Sequence, residues 1–274
     1  MEPQVLFEDN QLLVIDKPAG MVVNDSVTTK DATVQAWVRR YLKWEVTCLP
    51  ARQGNVNVDN EVGSENKSNF SLRSKATPRS HLQPLTSDFV NRNGIVHRLD
   101  KETSGVLVIA KTPEAFSNLQ AQFKERGVEK SYVALVHGEV EPTEGVINAP
   151  VGRLPWNRER FGVLPGGRAA ETSYKVISQY SIFNIQYSLV ELFPKTGRTH
   201  QLRVHLKSIG HPVVSDEFYA GRKIARNDRK WCPRLFLHAK SISFAHPKTG
   251  ERMEVASELA IDLQQALALL SREG

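Results

Sequence analysis

The chain has 274 residues, of which 40% are hydrophobic, and carries a formal net charge of +6 at pH 7. This length and composition predict a soluble globular protein with a sizeable core, and the positive charge indicates a polyanionic partner. Two cysteines, Cys48 and Cys232, are too few for a disulfide framework or a cysteine-based zinc site. No apolar run approaches the length of a membrane span and the N-terminus lacks a targeting segment, so we expect a cytoplasmic protein without a membrane partner.

The first predicted elements are a β-hairpin and a helix. Two short apolar runs, 5–7 and 12–16, are separated by turn-forming residues, which favours a hairpin. The sequence Lys17-Pro18-Ala19-Gly20 then turns the chain, because proline fixes φ and glycine permits close backbone approach. Residues 33–44 carry apolar side chains at helical spacing and predict an amphipathic helix.

Segment 50–88 is rich in asparagine and serine and shows no sustained apolar period. Such a segment buries too little apolar surface to offset the entropy that ordering costs. We therefore predict a mobile insertion at about 50–88, within one domain that spans 1–274.

Residues 96–111 join a charged loop to an apolar strand. Within them, 106–110 is an unbroken aliphatic run that follows a glycine, which predicts a strand buried on both faces. Asp100 lies in the preceding loop between Arg98 and Lys101, whose charges favour its ionised form. An ionised aspartate held in one place can act as a nucleophile. The alternative is an ordinary surface turn with a salt bridge.

A helix and three strands follow. Thr112-Pro113-Glu114 is typical of a helix start, with a hydroxyl cap, a proline in the first turn and an acid beside it. Segments 130–137, 171–177 and 183–193 predict strands, and the first of them begins close to Tyr132.

Two segments are strongly basic. Segment 151–172 alternates arginines with aromatic residues and predicts a loop that tracks phosphates and stacks bases. Segment 221–234 has the densest positive charge and predicts a surface loop compatible with RNA contact. The candidate RNA-binding residues in the two segments are Arg153, Arg158, Arg168, Arg222, Lys223, Arg226 and Arg229.

The remaining elements are a helix opened by 198–201, short strands at 235–237 and 242–244, and a final helix with a leucine face. Histidines and an aspartate also raise the alternative of a metal site, formed by His97, Asp100, His200 and His205. Their spacing does not match the H-E-x-x-H pattern and no cysteine ligand is available. We therefore expect no bound metal.

Four segments resemble the motifs of the RluA-type RNA pseudouridine synthase family. The stretch His97-Arg98-Leu99-Asp100, followed by Thr103-Ser104-Gly105, is similar to the H-R-L-D-x-x-T-S-G signature. Segment 12–23 resembles the opening strand and K-P-x-G loop, Lys130-Ser131-Tyr132 the K-x-Y motif, and 195–206 the T-G-R-T-H-Q-[IL]-R-x-H segment. The matches occur in family order over most of the chain, which is far more specific than one short motif.

The resemblance implies that the chain isomerises uridine to pseudouridine in RNA. It implies an α+β fold, a single catalytic domain with a mixed, mostly antiparallel central β-sheet flanked by helices. Asp100 is then the catalytic residue, Tyr132 supports the uracil, and Arg198 pairs with Asp100. The uridine is expected to flip out of the RNA stack while Arg98 enters the vacated space. No cofactor is needed, because the base is both leaving group and nucleophile. Further RNA contacts are expected at His97, Thr103, Lys17, His200, Gln201, Leu202 and Arg203.

The expected partner is RNA, a structured rRNA or tRNA stem-loop, and the expected state is a monomer. The N-terminus leaves no room for the small upstream RNA-binding domain that some relatives carry, and insertion 50–88 departs from the family pattern. The alternative function is a non-catalytic RNA-binding or RNA-folding protein on the same fold. The presence of Asp100, Tyr132 and Arg198 argues against it.

Overall fold

The computed structural model describes residues 2–25, 32–44, 83–182 and 185–272. The strands are β1 (Gln4–Glu8), β2 (Leu12–Lys17), β3 (Ser104–Ala110), β4 (Glu129–His137), β5 (Glu144–Asn148), β6 (Val151–Leu154), β7 (Asn157–Val163), β8 (Glu171–Ile182), β9 (Ile185–Pro194), β10 (Leu237–Ala245) and β11 (Arg252–Ala256). The helices are α1 (Val34–Tyr41), α2 (Gln83–Arg92), α3 (Pro113–Lys124), α4 (Gln201–Ser208), α5 (Arg222–Asp228) and α6 (Ile261–Arg272).

Nine of the described strands form one central sheet. Eight follow the order β1-β2-β3-β10-β4-β9-β8-β5, and β11 pairs with the far part of β10. The pairing of β3 with β10 is parallel, whereas the other strand pairs in the described ranges are antiparallel. The predicted fold class, a mixed and mostly antiparallel sheet flanked by helices, is confirmed.

The N-terminal predictions are confirmed as well. Strands β1 and β2 form an antiparallel hairpin, and α1 follows within the predicted 33–44 range. The Thr33 side chain caps this helix by accepting a hydrogen bond from the backbone N–H of Ala36, and Thr112 caps α3 in the same way.

The core lies on both faces of the sheet. Alternate residues of β2 point to opposite faces, so that Leu12 packs in a cluster with Phe116 of α3, and Leu13 packs in a cluster with Trp37 of α1. Strand β3 is buried along its whole length, as its aliphatic run predicts. The loop before β3 is therefore attached to one of the most enclosed strands of the sheet.

Gly105 allows the parallel pairing at the start of β3. Its φ is +111°, and a Cβ built there would lie 2.2 Å from the carbonyl oxygen of Ala239 on β10. A side chain at this position would separate the two central strands.

The prediction that 151–172 is a loop is wrong. Strands β6 and β7 of this segment form a separate two-stranded sheet, joined by a two-residue turn at Pro155 and Trp156. Phe161 of the hairpin packs on the cluster that contains Val204 of α4, and Val151 is the one fully buried residue of the hairpin. Because the hairpin buries so little, its sequence lacks the apolar alternation by which strands are recognised.

Two other predictions need correction. Segment 221–234 contains the short helix α5 within what was predicted as a surface loop. The strand predicted at 235–237 overlaps strand β10 only at Leu237, and 242–244 lies within that same strand. The exposed Lys240 interrupts the apolar pattern at a register shift against β4.

The predicted insertion at about 50–88 lies largely outside the described residues. Its last part, from Gln83, belongs to α2, and the predicted mobility of the insertion stays a prediction. Within the described ranges, no helix is long and apolar enough to cross a bilayer.

Candidate active site

A cavity of about 640 Å³ lies where the loop before β3 meets the start of β4 and the N-terminal half of α4. Its wall includes Asp100, Tyr132, His200 and Arg203. The four residues come from three segments far apart in sequence, and the central sheet and α4 bring them together. Four segments of the chain resemble family motifs, and three of them, 97–105, 130–132 and 195–206, therefore meet at one cavity.

The loop that carries Asp100 is fixed mainly through its backbone. The carbonyl oxygen of Lys101 accepts hydrogen bonds from the backbone N–H of Gly20 at 2.8 Å and from Nζ of Lys17 at 3.1 Å. The backbone N–H of Thr103 donates to the carbonyl of Asp100, which closes a tight turn. The K-P-x-G loop after β2 thus supports the neighbour of the aspartate.

The predicted RNA contact of Lys17 is wrong. Its side chain is fully buried, and its ammonium group donates to the carbonyl oxygens of Pro18, Met21 and Lys101. Burial lowers the pKa of Lys17 to about 7, because the ammonium loses its water. The residue holds two loops together and offers nothing to a phosphate.

His97 also has a structural function. Its Nε2 accepts a hydrogen bond of 2.9 Å from the backbone N–H of Val108 on β3, and its ring packs against Phe123. Burial lowers the pKa of His97 to about 3, with a smaller contribution from the nearby charge of Lys130. The imidazole is therefore neutral in this position, and the predicted RNA contact of His97 stays a prediction.

Asp100 is paired with Arg203. Nη1 of Arg203 donates to Oδ2 of Asp100 at 3.2 Å, and the same guanidinium makes two shorter bonds, from Nε and Nη2, to Asp216 at 2.7 and 2.9 Å. The Asp216 side chain is 0% exposed. Burial alone would lower the pKa of Arg203, but the bonds and charge of Asp216, together with Asp100, raise it. The guanidinium thus joins a carboxylate at the cavity to one in the interior.

The expectation that Arg198 pairs with Asp100 is wrong. Arg198 lies before the first turn of α4, where its Nε donates to the carbonyl oxygen of Ala169 at 3.1 Å. Arg203, predicted as an RNA contact, takes the place beside the carboxylate. Both arginines belong to segment 195–206, which resembles the family motif. The start of α4 between them, at Gln201, decides which of the two reaches Asp100.

Tyr132 lies near the start of β4, paired with Ala239 of β10 and Leu192 of β9. Burial, and then the charge of Asp100, raise its pKa, so its hydroxyl keeps the proton. No described residue forms a hydrogen bond with that hydroxyl. An aromatic ring with an unused polar tip therefore faces the cavity close to the carboxylate.

His200 is the residue immediately before α4, and its side chain lies next to the Asp100 carboxylate. Its Nε2 is 3.9 Å from Oδ2 of Asp100, and its Nδ1 is 2.8 Å from the hydroxyl of Tyr219. Its backbone is left-handed, with φ 55° and ψ 18°, immediately before α4. Neither Asp216 nor Tyr219 was predicted as a site residue, because an aspartate followed by aromatic residues indicates only a turn.

Gln201, Leu202 and Thr103 line the cavity but are buried. Gln201 donates to the Thr172 hydroxyl and accepts from the backbone N–H of Arg198, and Leu202 belongs to the core. The Thr103 hydroxyl is buried with no hydrogen-bond partner among the described residues. Gln201 and Leu202 shape the wall, and any contact they make with RNA stays a prediction.

The rim of the cavity is basic. Arg98, Arg126, Arg168 and Arg198 all contribute to it. Burial, followed by the charges of Arg168 and Arg126, lowers the pKa of Arg198, which indicates that these three guanidinium groups are close to one another. None of the four rim arginines forms an ion pair with an acidic residue in the described ranges. A cluster of unpaired cations beside a cavity suits a phosphate group.

The other predicted RNA contacts lie away from the cavity. Arg153 and Arg158 are exposed on the β6–β7 hairpin, and Arg153 lies over the Phe161 ring. The four basic residues of α5 and its end are also exposed, and two of them, Arg222 and Arg229, approach Glu217 at 3.7 and 3.1 Å. These positions are compatible with a large RNA surface. Among the described residues, no group of three or more potential ligands is arranged to bind a metal ion.

Comparison with known proteins identifies the family. A family model described as RNA pseudouridylate synthase matches residues 11–208. An uncharacterised RNA pseudouridine synthase of Mycobacterium bovis is 42% identical over 98% of this chain and 73% of its own length. Ribosomal large subunit pseudouridine synthase D of Nitrosomonas europaea is 35% identical over 96% of this chain and 64% of its own length. The chain belongs to the RluA-type RNA pseudouridine synthase family. Its members are isomerases that convert uridine to pseudouridine in RNA.

The fold of this pseudouridine synthase agrees with that assignment. The solved structure of human RNA pseudouridylate synthase domain containing 1 matches with a TM-score of 0.64 at 23% identity, covering 98% of this chain and 95% of the human one. At that identity the similarity establishes the fold and leaves the function of individual side chains to the geometry.

The buried pair between Arg203 and Asp216 predicts a large loss of stability when the arginine is removed. Arg203→Met should lower the free energy of unfolding by about 3–5 kcal/mol, because it leaves the Asp216 carboxylate buried without a counter-charge. The matched change Arg198→Met should cost less than about 1 kcal/mol, because that side chain makes one hydrogen bond at the edge of the cavity. Urea unfolding measures both, and equal losses would contradict the arrangement described here.

Proposed function

We propose that this pseudouridine synthase isomerises specific uridines of rRNA or tRNA, with Asp100 as the catalytic carboxylate and the target nucleotide flipped into the cavity. The observation that carries the proposal is the fixed orientation of Asp100. Oδ2 is held by Arg203, whereas Oδ1 has no hydrogen-bond partner among the described residues. One oxygen of the carboxylate is therefore available to act on the sugar or the base.

The cavity has a suitable size and lining for one nucleotide. Its volume of about 640 Å³ lies within the range of roughly 300–1,000 Å³ that is usual for ligand pockets. Tyr132 offers a ring against which a uracil can pack, with a protonated hydroxyl beside it. A uridine within an RNA stack cannot reach such a site, so entry requires base flipping.

Arg98 is the residue best placed to stabilise the flipped state. It is exposed at the rim, two positions before Asp100, on the loop fixed by Lys17 and Gly20. Its guanidinium can enter the space left by the uridine or bind the displaced backbone.

The RNA class is supported by the relatives and by the charge of the surface. Relatives from Nitrosomonas europaea and Pseudomonas aeruginosa are named for the large ribosomal subunit, which makes its rRNA the first RNA to test. The basic hairpin β6–β7 and helix α5 extend the positive surface beyond the cavity, as binding to a structured stem-loop would require. Pseudouridine mapping in total RNA from cells with and without the gene would identify the target.

Replacement of Asp100 tests the catalytic assignment. Asp100→Asn should reduce tritium release from RNA labelled at uridine C5 by at least about 1,000-fold, because the amide has no negative charge with which to react. RNA affinity should change less than about threefold, since the rim and outer basic surfaces are unaltered.

The control is Asp88→Asn, which changes an exposed aspartate on α2 and should keep the parent rate. Turnover by Asp100→Asn at the parent rate would refute the assignment. RNA binding without tritium release by the parent, on every rRNA and tRNA from a deletion strain, would favour the non-catalytic alternative.

The arginine cluster at the rim predicts a change in the salt dependence of RNA binding. Each of Arg126→Gln, Arg168→Gln and Arg198→Gln should reduce the slope of log affinity against log salt by roughly 0.7–0.9, because one fewer counterion is released. The combined variant should lose about three times as much.

Arg40→Gln serves as the control, because this arginine is 67% exposed on α1 and lies near Glu2. Its slope should equal that of the parent. An unchanged slope in the combined rim variant would show that the cluster does not bind phosphate.

A further inference from the structure

His200 is held between Asp100 and Tyr219 in a way that the assignment above does not explain. Three aromatic rings surround its imidazole edge to face, those of Phe161, Phe218 and Tyr219, at centroid distances of 5.5 to 6.1 Å. The ring is thus fixed in position, with one nitrogen towards the Tyr219 hydroxyl and the other towards the Asp100 carboxylate.

The hydrogen bonds determine which nitrogen carries the proton. The Tyr219 hydroxyl accepts a hydrogen bond of 3.2 Å from the backbone N–H of Phe161, and its other hydrogen-bond partner among the described residues is Nδ1 of His200. Burial raises the pKa of Tyr219 to about 12, so the hydroxyl keeps its proton and donates a hydrogen bond to Nδ1. The proton of the neutral imidazole is then on Nε2, which faces Asp100.

The imidazole stays neutral in this position. Burial lowers the pKa of His200, and the charges of Arg203 and Arg98 act in the same direction, against those of Asp100 and Asp216. A neutral ring donates a hydrogen bond to Asp100 through Nε2. It brings no positive charge that would neutralise the carboxylate.

The same buried carboxylate organises the whole arrangement. Oδ1 of Asp216 accepts from Nη2 of Arg203 and from the backbone N–H groups of Phe218 and Tyr219. The guanidinium of Arg203 also lies over the Tyr219 ring, 5.0 Å from its centroid. The two groups that face Oδ2 of Asp100 are therefore positioned by one turn of the chain.

The backbone of His200 supports a functional explanation. A left-handed conformation costs a non-glycine residue roughly 1–2 kcal/mol, and such strain concentrates at functional sites. Here it directs the imidazole towards Asp100 immediately before α4 begins.

We propose that His200 is a positioning residue for Asp100, fixed by Tyr219 in the tautomer that presents an Nε2–H donor to Oδ2. This proposal rests on the proposed function of Asp100. The present separation of 3.9 Å shortens to a hydrogen bond when a nucleotide fills the cavity, as catalytic contacts commonly do. Arg203 and His200 then hold the same oxygen, and Oδ1 is directed at the substrate.

Tyr219→Phe tests the tautomer, because it removes the hydroxyl and keeps the ring. In a long-range ¹H–¹⁵N spectrum of the histidine-labelled protein, the parent should show a protonated Nε2 and a bare Nδ1 at His200. The variant should show an average of the two tautomers, and its kcat should fall about tenfold with KM within about twofold of the parent.

A pair of substitutions at His200 tests the donor independently of Tyr219. His200→Gln places an amide N–H near the position of Nε2 and should retain kcat within about tenfold, whereas His200→Leu should lose about 100-fold. Both side chains meet the same left-handed backbone, so the difference between them reports the hydrogen bond and not the strain.

Tyr41→Phe is the control, because it removes a hydroxyl on α1 that donates a hydrogen bond to Glu8 of β1, and it should behave as the parent. Equal kcat values for His200→Gln and His200→Leu, or an unchanged His200 tautomer in Tyr219→Phe, would overturn the proposal. Both results presuppose a parent that turns over and an inactive Asp100→Asn, so failure of the proposed function would be recognised separately.

Discussion

The ion-pair chain from Asp216 through Arg203 to Asp100 is the interaction on which the site depends. A buried arginine is costly in free energy unless its charge and its donors are satisfied, and Asp216 supplies the counter-charge and accepts from two donors in a bidentate pair. This pair holds Nη1 in one place, and Nη1 defines where Oδ2 of Asp100 must lie. The interior of the protein thereby sets the orientation of a carboxylate that faces the cavity.

The two residues that pair at the cavity, Asp100 and Arg203, come from different parts of the fold. Asp100 lies on a loop anchored by β3, whose close parallel contact with β10 requires glycine at position 105. Arg203 comes from α4, which packs between the core and the β6–β7 hairpin. The hairpin also supplies the N–H of Phe161 that bonds the Tyr219 hydroxyl, so the basic outer surface and the centre of the site are mechanically connected.

The sequence predicted the N-terminal hairpin, helices α1, α3 and α6, and the place of Asp100, because each has a local signal in apolar period, capping or motif, whereas the sheet class followed from the resemblance to the family. Prediction from sequence failed where the signal depends on tertiary contacts. Helix α4 is buried on nearly all sides, so its sequence carries no apolar stripe that shows Arg203 facing the centre of the site. Lys17 and His97 are residue types that often contact RNA. In this fold, their polar atoms instead form hydrogen bonds with the protein backbone. Asp216 and Tyr219 carry no local signal.

The most direct test of the central claim compares the effects of replacing Arg203 and Arg198 on the rate of the chemical step, and not on stability. Single-turnover rates of pseudouridine formation at saturating enzyme remove differences in RNA binding. Arg203→Lys should slow that step by about 100-fold, because an ammonium cannot hold Asp216 and Asp100 together, while Arg198→Lys should stay within about threefold of the parent. A slow Arg198→Lys beside a fast Arg203→Lys would contradict the account.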